Sequence, residues 1–251
     1  MGHPFIQLAY AYEYDNKDVA TEALSLACTE YDYIHKFLDH YPPDTSTYKS
    51  AKLTDILLKV RQDDRFDGYF EEPGFLNIFT VLGTREDALL EHWNAWNLDD
   101  FAKRFEDAYN DAVLLAIGTA SVSAGYDFFL AHVLTVAHAL RVLWDFLPKE
   151  RQEVVFKQYW LWTLLIYIAQ LRRPVDEAQI ESIDLKGKSW EWVQEMGITG
   201  ERSLDSHYVK VIRALKVAAE TWPQNNNFYL KAAVKYISEF EEWTGFGKGV
   251  V

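Results

Sequence analysis

The stretch Leu204-Asp-Ser-His-Tyr-Val-Lys-Val-Ile-Arg-Ala-Leu-Lys-Val-Ala-Ala-Glu-Thr-Trp222 predicts one amphipathic helix. Asp205 or Ser206 can cap its start by accepting hydrogen bonds from the free N–H groups of the first turn. Apolar residues then recur at the spacing of one helix face, at Val209, Ile212, Leu215 and Ala219. This segment therefore favours a helical fold.

Helical periodicity continues through most of the chain on both sides of this segment. We predict further helices over residues 19–38, 53–60, 99–120, 126–146, 149–171, 189–197 and 226–242. Residues 63–84 contain three glycines and a proline and are predicted to form a loop with short turns, with a break at Ser123-Ala-Gly125. No alternating strand pattern and no Ser- or Gly-rich linker is found. The sequence therefore predicts an all-α fold, a single domain over residues 1–251 built as a bundle-like array of about eight to ten helices.

Composition limits the classes of partner and the compartment. The net charge of −13 and the lack of a basic patch argue against binding to nucleic acid. Cys28 is the only cysteine, so no internal disulfide can form, which suits a reducing compartment. The longest apolar stretch, Tyr159–Leu171, is shorter than the roughly 20 residues that span a bilayer. We expect a cytoplasmic protein with no secretory signal and no membrane span.

The first turn of the helix quoted above holds a candidate ligand pair. His207 and Lys210 are three residues apart and therefore share one face. A lysine in a first helical turn is unfavourably placed against the helix dipole, which favours anions there. A lysine that is neutral, or that has been converted to an anion, would suit the position better. The alternative interpretation is a surface lysine beside a capping histidine.

Two histidines lie in the uncharged run from Phe128 to Leu140. His132 and His138 are six residues apart, which places them about 120° apart around a helix. We therefore expect one of them to face an interior site, while the other either holds that histidine in place or packs elsewhere. The alternative is that both are hydrogen-bonded core residues, since buried polar groups are normally paired.

Other motifs are weaker. Asp63-Asp-Arg-Phe-Asp67 matches the Asp-Asp-x-x-Asp magnesium motif of helical terpenoid enzymes, but it lies in a loop-rich stretch and no second metal motif follows it. No nucleophile elbow, phosphate-binding glycine loop, His-Glu-x-x-His sequence or cysteine pair is present. Glu13, close to His3 in the sequence, is a candidate acid or base.

The order of motifs resembles the questin oxidase-like family of fungal polyketide pathways. Four stretches carry the resemblance: His3-Pro-Phe-Ile-Gln-Leu-Ala-Tyr-Ala-Tyr-Glu13, Tyr126–Arg141, Tyr167-Ile-Ala-Gln-Leu171 and His207–Lys216. Glu91-His-Trp-Asn-Ala-Trp96 and Glu242-Trp-Thr-Gly-Phe-Gly247 add to it, so that it runs nearly from end to end.

The resemblance implies an α-helical, non-haem iron oxygenase that cleaves a ring of an anthraquinone-like polyketide. The outcome would be of the Baeyer–Villiger or dioxygenase type, with O2 as co-substrate and NADPH as candidate reductant. By the family's motif, Fe(II) would be held by His3, His132 or His138, His207 and a carboxylated Lys210, with Glu13 and His138 as candidate catalytic residues. A desolvated lysine has a lowered pKa and its neutral amine can take up carbon dioxide. The resulting carbamate is a hard anionic ligand that suits iron beside imidazoles.

The sequence departs from the family's pattern in two places. Members usually carry a further N-terminal region of several helices with its own histidine, and Gln7 stands where a second histidine of a His-Pro-x-Ile-His motif is common. We therefore expect a homo-oligomer or a complementary N-terminal-like subunit as a partner. Two alternatives remain open: a catalytically silent relative that binds a polyketide or a partner subunit, and a metal-free cyclase or isomerase that uses a histidine or Glu13 as base.

Overall fold

Helices make up most of the chain in a computed structural model, which describes residues 2–29, 33–119 and 125–247. The α-helices are α1 Gly2–Glu13, α2 Lys17–Thr29, α3 Lys36–Asp39, α4 Leu53–Gln62, α5 Asn77–Thr84, α6 Glu86–Asn94, α7 Phe101–Ile117, α8 Phe128–Leu143, α9 Lys149–Ala169, α10 Ala178–Glu181, α11 Trp190–Thr199, α12 Ser206–Thr221 and α13 Asn226–Glu239. Two strands of two residues each, β1 Tyr126–Asp127 and β2 Trp243–Thr244, pair in parallel. The all-α prediction is confirmed.

The centre of the core is formed by α8 and α9. In α9 every residue from Tyr159 to Ala169 is buried, and in α8 all residues from Leu130 to Leu140 are buried. Helices α1, α7, α9 and α12 all pack against α8, so side chains from distant parts of the chain meet on its surface. Among the described residues, Phe128–Phe146 is one helical stretch long and apolar enough to span a membrane, but 67% of its most apolar window is buried inside the protein. This is the behaviour of a core helix.

The structure differs from the predicted elements in several places. The helix predicted over 19–38 ends at Thr29 and is followed by a 3-10 turn at Tyr33–His35 and by α3, while residues 30–32 lie outside the described residues. The loop predicted over 63–84 contains α5, because Ile78 and Val81, three positions apart, face the core. Helices α1 and α6 were not among the predicted elements. The predicted break at Ser123 and Ala124 also lies outside the described residues.

The parallel strand pair fixes the start of α8. Asp127 Oδ1 caps the helix by accepting hydrogen bonds from the N–H groups of Phe129 (2.9 Å) and Leu130 (3.0 Å). With its amide turned so that nitrogen donates, Gln170 bonds to Asp127 Oδ2 at 2.8 Å and to the carbonyl of Gly245 at 3.2 Å. Burial raises the pKa of the Asp127 carboxyl to about 6, although the backbone hydrogen bonds oppose this. The first turn of α8 is thereby joined to α9 and to the segment after β2.

Candidate metal centre

Three histidines from three helices meet at one end of α8. His3 lies at the start of α1, His132 on the first turns of α8, and His207 on the first turn of α12. The Nε2 atoms of His3 and His132 are 3.1 Å apart, and one ring nitrogen of each histidine lies within 4.8 Å of those of the other two. His132 is buried, His207 is half-buried and His3 is exposed, so the cluster lies at the rim of the core.

A backbone hydrogen bond orients the buried member of the cluster. Nδ1 of His132 lies 2.7 Å from the carbonyl oxygen of Phe128. Because a carbonyl can only accept, Nδ1 carries the hydrogen and the lone pair of the neutral ring is on Nε2, which faces His3. This is the arrangement found when a metal-binding histidine is oriented by an outer partner.

The cap of α12 positions the third histidine. Asp205 Oδ1 accepts hydrogen bonds from the N–H groups of His207 (2.8 Å) and Tyr208 (3.1 Å). Its second oxygen accepts from the indole nitrogen of Trp243 at 2.7 Å. Asp205 is the residue that the sequence indicated as a cap, and it fixes the backbone from which His207 projects.

The environment of the cluster favours the neutral form of all three imidazole rings. Burial lowers the pKa of His132 to about 3, with a further contribution from His3 and His207. Partial burial and then the positive charge of Lys210 lower the pKa of both His3 and His207. All three rings therefore keep a free lone pair near neutral pH, which metal binding requires.

Lys210 lies one turn beyond His207 and is half-buried. Burial lowers the pKa of its ammonium, while the charge of Asp205 opposes the change. Among the described residues its Nζ has no hydrogen bond and no ion pair, unlike Lys216 farther along α12, which pairs with Glu220 at 2.9 Å. A half-buried lysine without a counter-ion is the environment that the carbamate hypothesis requires, and the carboxylation itself stays a prediction.

The donor set fits a transition-metal ion. Imidazole nitrogens bind such ions at about 2.0–2.1 Å, so two nitrogens on one ion are at most about 4.2 Å apart. The His3–His132 separation of 3.1 Å already meets this condition, and the widest separation of 4.8 Å needs a shift of less than about 1 Å. Three imidazoles suit iron, zinc, copper or nickel and do not by themselves select among them.

An aromatic cavity of about 210 Å³, which we call the proximal chamber, opens beside His3 and His132. Its other described walls are Gly2, Phe75, Phe128, Phe129, Trp162 and Ile166. The Phe128 ring lies 4.5 Å from the His132 ring and 4.6 Å from the His207 ring, centroid to centroid. Flat apolar walls of this kind bind ring-shaped ligands.

His138 lies outside this cluster. Its ring is buried farther along α8, where Nε2 bonds to Glu13 Oε2 at 3.3 Å and Nδ1 has no partner among the described residues. Glu13 is also paired with Arg213 on α12, at 3.1 Å, and lies 3.8 Å from Arg141 on α8. Of the two histidines on α8 that the sequence left open, the structure brings only His132 to the other candidate ligands.

Glu13 links α1 to α8 through a hydrogen bond from His138, and to α12 through an ion pair with Arg213. Burial of Glu13 opposes its ionisation, but hydrogen bonds from His138 and Arg213 prevail and lower its pKa to about 2. Burial lowers the pKa of His138, so the neutral ring donates its Nε2 hydrogen to the carboxylate. A carboxylate with so low a pKa is a weak base. The catalytic roles predicted for Glu13 and His138 stay predictions.

The Asp-x-x-Asp sequence motif does not form an open magnesium site. Asp63 accepts a hydrogen bond from Nε2 of His92 at 2.8 Å and pairs with Arg65 at 2.6 Å. Asp67 pairs with Arg172 at 2.6 Å. Since two of the motif's three carboxylates, those of Asp63 and Asp67, are already satisfied by cations or an imidazole, the terpenoid-type interpretation finds no support.

Sequence reasoning did not identify the walls of the proximal chamber. Trp162 and Ile166 are four residues apart on α9, but that helix is apolar all round and its periodicity does not show which face borders a cavity. Phe75 lies in the stretch predicted to be loop. Arg213, which pairs with Glu13, lies six residues beyond His207 on α12, and nothing in the sequence links it to α1.

Comparison with known proteins identifies the family of this chain. A search of curated proteins gives no match. A family model described as Questin oxidase-like matches residues 1–215, a range that includes all three clustered histidines and Lys210. This chain belongs to the questin oxidase-like family.

Proposed function

We propose that this protein is an Fe(II)-dependent oxygenase that cleaves a ring of an anthraquinone-like aromatic polyketide. Family membership supports an oxygenase acting on anthraquinone-type substrates. The observation that supports a bound metal ion is the convergence of three neutral imidazoles, one each from α1, α8 and α12, beside an aromatic chamber. His3, His132 and His207 would hold the metal, and Lys210, carboxylated, would add the anionic ligand that favours iron.

Each of these residues has a distinct role in the proposal. When bound, iron would supply the one-electron chemistry that lets O2 react with a closed-shell aromatic compound. His132 presents its Nε2 lone pair because Phe128 holds the hydrogen on Nδ1. Phe128, Phe129 and Trp162 would hold the substrate ring flat against the histidines and exclude water from that face.

The two oxidative outcomes differ in their electron balance. A dioxygenase outcome places both atoms of O2 in the product and needs no external electrons. A Baeyer–Villiger-type outcome inserts one oxygen atom beside a ring carbonyl and reduces the other to water, with two electrons from a reductant of the NADPH class. Measuring O2 consumed and NADPH oxidised per product formed, with an anthraquinone as substrate, decides between them.

The proposal is tested by metal content. We expect about one equivalent of iron per chain after anaerobic reconstitution with Fe(II), and loss of most of it in His132→Ala. The matched control is His138→Ala, a second buried histidine on the same helix that lies outside the cluster. Equal iron in both variants would refute the assignment of His132, and no iron in the wild type would favour the silent-relative alternative.

The metal-free cyclase or isomerase has weaker support. Of its two candidate bases, a histidine or Glu13, Glu13 is bound to His138 and Arg213 with its pKa near 2, so only a histidine of the cluster would be free to act. Turnover of an aromatic substrate without metal and without O2 consumption would restore that alternative.

A further inference from the structure

A second cavity, which we call the distal chamber, adjoins the proximal chamber. Its volume is about 280 Å³, and Gly2 and Trp162 line both cavities. The apolar side chains that line only the distal chamber include Phe5, Val136, Leu140, Val155 and Tyr159. Gly2 and Trp162 therefore form a neck between two spaces, only one of which borders the histidines.

The two chambers follow one groove between antiparallel helices. On α8 the lining residues Phe129, His132, Val136 and Leu140 recur every three or four positions, which is one helix face. On α9 the lining residues also recur every three or four positions, but they run from the distal to the proximal chamber: Val155, Tyr159, Trp162 and Ile166. A ligand that enters beside His132 can therefore continue along the same pair of helices towards Leu140 and Val155.

Size indicates that one ligand occupies both chambers. Small-molecule sites usually measure about 300–1,000 Å³. Neither chamber alone reaches that range, whereas the two together do. We propose that they form one bipartite site for a flat, fused-ring aromatic ligand, with its reacting ring in the proximal chamber and its remaining rings in the distal one. This assignment rests on the proposed function for which end reacts.

The lining sets the chemistry of the two ends. Among the described residues, no Asp, Glu, Lys or Arg side chain lines the distal chamber, and Gln158 and His35 are its main polar members. A charged substituent at the distal end would lose its hydration without gaining a partner, which is costly. The site therefore selects a ligand whose distal rings carry no charged substituent.

Gly2 determines the width of the neck. A Cβ atom built there would lie 2.9 Å from Val136 Cγ2 and 3.6 Å from Trp162 Cζ2. Val136 is β-branched and has little rotamer freedom in a helix, so it cannot move aside easily. A side chain at position 2 would narrow the passage between the chambers.

The test compares probes of two lengths on metal-free protein. Phenol fits within the proximal chamber, and 1,8-dihydroxyanthraquinone needs both. We expect Val155→Trp, which fills the distal chamber, to weaken binding of the three-ring probe at least tenfold and to leave phenol within twofold, as measured by equilibrium dialysis. The matched control is Val154→Trp, the neighbouring residue on α9, which lines neither chamber. Gly2→Val, which narrows the passage between the chambers, is a second variant and should weaken binding of the three-ring probe more than binding of phenol.

Each outcome decides the proposal. If the three-ring probe binds Val155→Trp and Gly2→Val as tightly as wild type, or if phenol weakens equally, the bipartite site is wrong. It is also wrong if wild type binds the three-ring probe no more tightly than phenol. Because the measurement uses metal-free protein, these results are independent of iron content. If the protein binds the two probes as predicted but binds no iron, the bipartite site is supported and the oxygenase proposal is wrong.

Discussion

The carboxylate of Glu13 should be a main electrostatic support of the helices that carry the histidine cluster. It joins α1 to α8 through His138 and to α12 through Arg213, and its side chain is only 13% exposed. Its pKa falls from 4.5 to about 2, and one pKa unit corresponds to about 1.4 kcal/mol, so the upper limit of its contribution is about 3 kcal/mol. Since Arg213 is 35% exposed and water screens that pair, we expect about 1–2 kcal/mol.

The pH dependence gives the sign of this contribution. A carboxyl whose pKa is lowered by folding stabilises the folded state above the unfolded pKa, and this stabilisation is lost as pH falls from about 4.5 through about 2. Glu13→Gln should therefore lower the free energy of unfolding at pH 7 by about 1–2 kcal/mol, and its deficit relative to wild type should shrink towards pH 2.5.

Urea unfolding followed by circular dichroism at pH 7 and at pH 3 measures both quantities. Glu22→Gln, at an exposed position on α2, is the matched control and should change stability by less than about 0.5 kcal/mol. A Glu13→Gln variant as stable as the control at pH 7, or one whose deficit stays constant with pH, would refute the argument.

The other predictions concern Lys210, the core and the cap of α8. Lys210→Met should lose bound iron and turnover, and added bicarbonate should not restore them. The control Lys216→Met should keep both. Full iron content in Lys210→Met would exclude the carbamate. Leu134 is fully buried, and Leu134→Ala should lower the free energy of unfolding in urea by about 2–5 kcal/mol. The control Leu24→Ala, at a side chain that is 55% exposed, should lower it by less than about 0.5 kcal/mol. Asp127 has a raised pKa, so its ionisation lowers stability as pH rises from about 3.8 to 6. Asp127→Asn should therefore be at least as stable as wild type at pH 7.5, and a loss above about 1 kcal/mol there would contradict this.

Local patterns were sufficient to predict most of the long helices. Two local patterns predicted helices: the uncharged run around His132, and the cap followed by periodic apolar residues in α12. The structure contains both helices. The same local rule failed at α5, where Gly83 suggested a loop although Ile78 and Val81 bury one face. Tertiary packing outweighed the helix propensity of one glycine there.

Contacts between distant segments could not be predicted in this way. The helical geometry showed that His132 and His138 face different directions, but only the positions of α1 and α12 determine which one meets His3. Strands β1 and β2, in which Tyr126 pairs with Trp243, have only two residues each. Strands this short show no alternating pattern in the sequence. The partners of Glu13 come from α8 and α12, and no spacing rule connects them.

The distances along the chain between the clustered histidines bear on how the protein folds. His3 and His132 are 129 positions apart, and the Glu13–Arg213 pair that supports them spans 200. Closing loops of this length has an entropic cost that local helix formation does not offset, so the histidines should come together only after α8 has formed and both ends of the chain have docked on it. Because the unfolded chain has no such assembled site, any ion bound there stabilises only the native state, by about 2.7 kcal/mol at a hundred times its dissociation constant. Binding of a metal ion at the cluster would therefore add to the stability of the folded protein.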